Sequence, residues 1–142
     1  MHIMSLRCFI QEQAPIPGSG AQPVRYPACE WVGDDGVVYP QHPLNRFVSS
    51  WLTSDMAEVS QCEEVLQAMA QIKAGTRKEW FVDGDAFNVD MQANGVQFNP
   101  SHVGPQDAAY WNQPKGRFTL AEVDAWLRVW RDFLATPAQQ NH

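Results

Sequence analysis

The chain has 142 residues, 44% of them hydrophobic, and a net charge of −6; this length suits one domain, residues 1–142, burying roughly two thirds of its unfolded surface without needing disulfides. Between Pro27 and Ile72 seven carboxylates (Glu30, Asp34, Asp35, Asp55, Glu58, Glu63, Glu64) face one base, Arg46, which disfavours nucleic acid and favours solubility or a basic partner. Cys8, Cys29 and Cys62 are odd in number and lack metal spacing, so they read as reduced thiols of a cytoplasmic protein, one disulfide with a free thiol being the alternative.

The N-terminus has no cationic start followed by an apolar run, and no stretch approaches a membrane span, so neither export nor a membrane partner is expected. Residues 2–10 alternate, with Met4, Leu6, Cys8 and Ile10 on one side, and read as a first strand. Residues 11–27, with Pro15, Pro17, Gly18, Gly20, Pro23 and Pro27, read as a loop. Residues 30–32 and 37–39 flank Gly33-Asp34-Asp35-Gly36 as a hairpin. Leu44, Phe47, Val48, Trp51 and Leu52 fit helical spacing, while their β-branched and aromatic content favours a strand over 44–52.

Asp55, with Glu58 three residues on, is placed to cap a helix whose stripe is Val59, Cys62, Val65, Leu66, Met69 and Ile72 and whose stop is Gly75. The most orderly stretch follows at 79–100, a three-stranded meander. Phe87, Val89, Met91 and Ala93 alternate with polar residues, and Asn94-Gly95 predicts a type I′ turn that sets Ala93 opposite Val96. A preceding strand, 80–82, enters through Asp83-Gly84-Asp85, in either of two registers. Residues 99–116 form a long loop carrying His102, Asp107, Tyr110 and Trp111, either a binding loop or one pinned to its own core. Thr119 and Glu122 then make a capping box for a helix striped by Val123, Trp126, Leu127, Trp130, Phe133 and Leu134, ended by Thr136-Pro137, with a frayed tail at 139–142. The predicted class is α+β, an antiparallel sheet of meander and hairpin with two main amphipathic helices packed on it.

No motif assembles a nucleophile, base and orienter, and no phosphate loop or metal spacing is present. Asp83, Asp85 and Asp90 lack the remaining ligands of a calcium loop. No catalytic residue, cofactor or metal is expected. Two alternatives stay open: a small-ligand or enzyme pocket beneath 99–116 using His102, and an adaptor subunit with a permanent interface.

The acidic helix at 55–74, the segment EWFVDGDAFNVDM opened by Trp80, and the closing FTLAEVDAWLRVWRDFL resemble, over about residues 44–135, the YacL-like small bacterial proteins and the immunity proteins of contact-dependent growth inhibition and polymorphic toxin systems. The segments 11–27 and 99–116 depart from that compact pattern. The resemblance implies a non-catalytic cytoplasmic binder that neutralises a cognate basic toxin, such as a nuclease domain, through carboxylates and aromatics. Asp83, Asp85, Asp90, Asp107, Tyr110 and Trp111 are the contact residues this reading selects.

Overall fold

The computed structural model describes residues 3–104 and 106–136. His2, Pro105, Pro137 and the tail at 139–142 lie outside them. The described chain is a mixed α+β fold with a two-stranded antiparallel sheet, β1 (Met4–Gln13) with β2 (Val24–Gly33), and a four-stranded one. The second sheet has the order β3 (Glu79–Asp83), β4 (Phe87–Gln92), β5 (Gly95–Pro100), β6 (Arg117–Phe118), every neighbour antiparallel. Its helices are α1 (Ser50–Asp55), α2 (Val59–Ala74) and α3 (Leu120–Leu134).

The two long helices form where caps and stripes agree. Thr119 Oγ1 accepts the Glu122 N–H at 3.1 Å and the Glu122 carboxylate accepts the Thr119 N–H at 3.0 Å, closing the expected box. Val123, Leu127, Trp130 and Leu134 are buried along α3, and Cys62, Val65, Leu66, Met69 and Ile72 along α2. Gly75 ends α2 at φ +80°, its N–H on Ile72 O.

Elsewhere the structure departs from the sequence reading. Residues 11–13 and 24–27 are strand, so the irregular excursion shrinks to 14–23: the ladder runs past Ile10↔Pro27 to Gln13↔Val24, an edge where proline costs no bond. Residues 44–52 are helical, a wide turn over Leu44–Ser49 continuing into α1, because tertiary burial of Phe47, Val48, Trp51 and Leu52 on one side outweighs β propensity. Asp55 ends α1 instead of capping α2; Glu58 takes the cap, with its N–H on Gln61 Oε1 at 3.1 Å. The 33–36 turn forms, with Gly33 N–H on Val37 O at 2.9 Å, but its second strand is only the bridge Val32↔Val38. In the meander the β4–β5 turn centres on Ala93-Asn94, pairing Met91↔Val96 and Gln92↔Gly95. This shifts the expected register by two residues, which keeps every side chain on its face. Residues 99 and 100 belong to β5 and 114–116 to a short 3₁₀ turn, so the long loop spans 101–113.

The core lies between the four-stranded sheet and the helices. Trp51 meets Phe98 edge-on at 5.2 Å between ring centres, and Phe118 meets Trp126 at 5.5 Å. The Trp130 indole N–H donates to Met56 O at 2.7 Å, tying α3 to the α1–α2 link. Fully burying one such aromatic removes about 150–250 Å² from water, an upper bound of about 4–6 kcal/mol. Each cap contributes only about 1 kcal/mol, so packing dominates.

The hairpin β1–β2 docks onto the helices through Trp31, whose ring meets Trp126 at 5.1 Å, and through Asn45. Asn45 Oδ1 accepts the Trp31 N–H at 2.8 Å, and Nδ2 donates to Trp31 O and Tyr39 O, each at 3.0 Å. A buried side chain thus stands in for a neighbouring strand. Asn45→Ala strands the buried N–H and C=O of Trp31, while Tyr39 O keeps the His42 N–H, and is expected to cost about 2–4 kcal/mol, read as a lower urea midpoint at unchanged slope.

Asp124 joins the helices, accepting from Lys73 at 3.2 Å and Arg128 at 2.6 Å. Burial alone would raise its carboxyl, but the hydrogen bonds from Arg128 and Lys73 outweigh that and hold it below its ordinary value. The folded state therefore releases this proton more readily than the unfolded one, so the stabilisation is full above the unfolded value of about 3.9 and is lost as pH falls through the folded value. Asp124→Asn should flatten the acid limb of stability measured by denaturant titration from pH 5 to 2.

Candidate functional site

The sequence EWFVD places three large apolar residues consecutively in β3, and a strand has only two faces. Trp80 and Val82 pack against the core, so Phe81 points outward with 56% of its surface exposed. The Gly84 N–H donates to Phe87 O at 2.9 Å, which makes the pair Asp83↔Asn88 non-hydrogen-bonded, and with it, at every second position, Phe81↔Asp90 and Glu79↔Gln92. The backbone N–H and C=O groups of Glu79, Phe81 and Asp83 therefore point away from β4. On that side β3 is the terminal strand of its sheet.

A cleft of about 440 Å³ lies along this edge. Residues 80–85 form one wall; Ser54 and Asp55 at the end of α1, Met56 of the α1–α2 link, and Gln61, Glu64 and Val65 of α2 form the other. Four carboxylates line it, from Asp55, Glu64, Asp83 and Asp85. Asp55 is buried and accepts the N–H groups of Ala86 (3.0 Å) and Phe87 (3.1 Å), so its charge is engaged in holding the β3–β4 turn. Glu64, Asp83 and Asp85 are exposed. Near the start of β3, the Arg77 guanidinium lies 5.0 Å over the Trp80 ring. The Trp80 indole N–H has no hydrogen-bond partner among the described residues.

The structure brings together two of the six residues selected from the sequence, Asp83 and Asp85. Asp90 lies across from Phe81 on the outward face of the sheet, where its carboxylate accepts from Gln92 Nε2 at 3.3 Å. Asp107, Tyr110 and Trp111 belong to the 101–113 loop and do not line the cleft. Asp107 serves its own turn: its carboxylate accepts the Gly104 N–H at 3.4 Å, and its carbonyl accepts those of Tyr110 and Trp111.

That loop covers the outward face of β5. Gln97 Nε2 donates to Gln113 O at 3.0 Å, and Asn99 Oδ1 accepts the Asn112 N–H at 2.7 Å. Trp111 is half-buried, Tyr110 is 59% exposed and His102 is exposed. Sequence reasoning missed Phe81, Glu64 and the α1–α2 wall. The apolar triplet at 80–82 signals the first; the wall comes from residues about 20 positions upstream, brought in by packing alone.

Among the described residues no group of three or more His, Cys, Asp or Glu is placed to hold a metal ion, and no helix is long and apolar enough to cross a membrane. In comparisons with known proteins, no family model, curated protein or solved structure matches the chain.

Gly84 sets the shape of the cleft. A Cβ there would stand 2.5 Å from Asp55 Oδ2 and 3.1 Å from Phe87 O, while Asp55 is itself held by two backbone groups. Gly84→Ala is expected to destabilise by about 1–3 kcal/mol, the usual cost of overpacking, seen as a lower melting temperature by circular dichroism.

Proposed function

We propose that the chain is an acidic protein-binding module that takes a basic, extended segment of a partner along the free edge of β3, and that the partner is a cytoplasmic toxin domain which it neutralises. The observation that supports the binding mode is the open edge itself: three residues with outward backbone groups, an exposed Phe81 at their centre, and the carboxylates of Glu64, Asp83 and Asp85 beside them. Strand addition draws affinity from main-chain hydrogen bonds and specificity from alternate side chains. Lysine or arginine at every second position of the incoming strand would meet those carboxylates. The net charge of −6 would steer a cationic partner at long range. The toxin assignment rests on that charge and on the resemblance of 44–135 to immunity proteins.

The test uses a synthetic peptide of alternating lysine and valine, and the same peptide with alternate backbone nitrogens methylated, titrated by calorimetry at low and moderate salt. The unmethylated peptide should bind and weaken with salt. Asp83→Asn with Asp85→Asn should raise Kd about tenfold, the worth of two exposed ion pairs. Phe81→Pro should weaken binding more than Phe81→Ala, because proline removes an outward N–H that β4 does not use. Equal binding of the methylated peptide would overturn strand addition; binding by neither peptide would overturn the basic-partner reading.

A further inference from the structure

Cys8 and Cys29 are cross-strand partners in the β1–β2 ladder. The phase of that ladder can be read from where β2 sends its other hydrogen bonds. The Cys29 N–H donates to Thr53 Oγ1 at 3.4 Å, the Trp31 N–H to Asn45 Oδ1 at 2.8 Å and the Gly33 N–H to Val37 O at 2.9 Å. All three point away from β1, at every second residue. Cys29 and Cys8 are therefore a non-hydrogen-bonded antiparallel pair, the type in which Cα atoms stand about 4.5 Å apart and side chains approach most closely. A disulfide accepts Cα separations of about 4.4–6.8 Å. Both side chains share the face that packs on the core, Cys29 buried and Cys8 half-buried.

We propose that Cys8 and Cys29 form an oxidisable dithiol, a modification site that closes to an intramolecular disulfide by exchange with a small-molecule disulfide of the glutathione class. Cys8 is the more exposed sulfur and reacts first. Its thiolate attacks one sulfur of the oxidant, whose S–S bond breaks, giving a mixed disulfide and releasing one thiol. Cys29 then gives up its proton and attacks Cys8 Sγ; the mixed S–S bond breaks, the Cys8–Cys29 bond forms and the second thiol leaves. Two protein thiols are oxidised and one small disulfide is reduced to two thiols, with protons and electrons balanced.

The second step is slow, since burial pushes the Cys29 thiol up to about 12, with Thr53 partly opposing the shift. A reducing cytoplasm keeps the pair open, and a sustained oxidant closes it. Closure staples the hairpin across residues 8–29, next to the helical segment that Asn45 and Thr53 present to β2. Cys62 sits apart, its sulfur 3.8 Å from Met56 O, and takes no part.

The test incubates the full chain with glutathione disulfide at about pH 8 and follows intact mass, then maps the crosslink by proteolysis without reduction. The expected product has lost two hydrogen masses, carries no glutathione, joins the Cys8 and Cys29 peptides, reopens with dithiothreitol, and melts roughly 5–10 °C higher than the reduced chain. Cys62→Ser should still form it, and Cys8→Ser should not. A product that stops at a glutathione adduct on Cys8, or a crosslink that includes Cys62, would overturn the inference. The mapping on the unsubstituted chain decides the matter even where a variant folds poorly.

Discussion

The carboxylate of Asp55 reaches across more than thirty residues of chain to accept the N–H groups of Ala86 and Phe87, and much of the molecule depends on that contact. It fixes where β4 begins. With β4 placed, the β3–β4 pairing follows, and with it the outward phase of Glu79, Phe81 and Asp83. The same contact leaves no room for a side chain at Gly84 and draws the α1–α2 link against the end of β3, so that a cleft lies between them. A buried carboxylate is costly unless its oxygens are occupied; here two backbone donors occupy them.

Polar side chains perform a similar service at two other joints. Among the described residues the two sheets share no ladder. Asn45, on the helical segment between them, offers an amide with the donor and acceptor of a peptide unit and so continues the hydrogen bonding of β2. On the far side, Gln97 and Asn99 do the same for the loop that covers β5. Each joint is specific because a misplaced partner would leave the buried amide side chain, and the backbone groups it serves, unsatisfied, at about 1–3 kcal/mol for each buried group. The apolar core supplies most of the stabilisation, and these amides and carboxylates select one arrangement of it.

The long loop and the free edge of β3 have opposite characters. Length and aromatic content leave the 99–116 segment as either a binding loop or one pinned to its own core, and its ends are hydrogen-bonded into β5 and into the β3–β4 turn, where Ser101 donates to Asp85 O at 2.6 Å. Among the described residues the β3 edge keeps backbone polarity that β4 does not use, and an exposed phenylalanine beside three exposed carboxylates. Charged side chains and short length blunt edges against aggregation, and β3, five residues long with an exposed acid at each end, has both safeguards while remaining open to a strand of opposite charge.

Local signals determined much of this protein from sequence alone: the capping box at Thr119, the stripes of α2 and α3, the αL stop at Gly75, the alternation of β4 and β5, and the α+β class. These are legible because each is a contact between residues a few positions apart. Asp83 and Asp85, which line the cleft, stand out for the same reason, as carboxylates in a turn between two patterned strands. Tertiary structure alone decided that 44–52 is helical, that Asp55 ends a helix and holds a distant strand, that prolines 23 and 27 lie within or beside a ladder, and that Glu64 faces Phe81's strand across a cleft. Those outcomes depend on contacts between residues from about ten to more than thirty positions apart, whose free energies exceed the few tenths of a kcal/mol by which local propensity separates helix from strand.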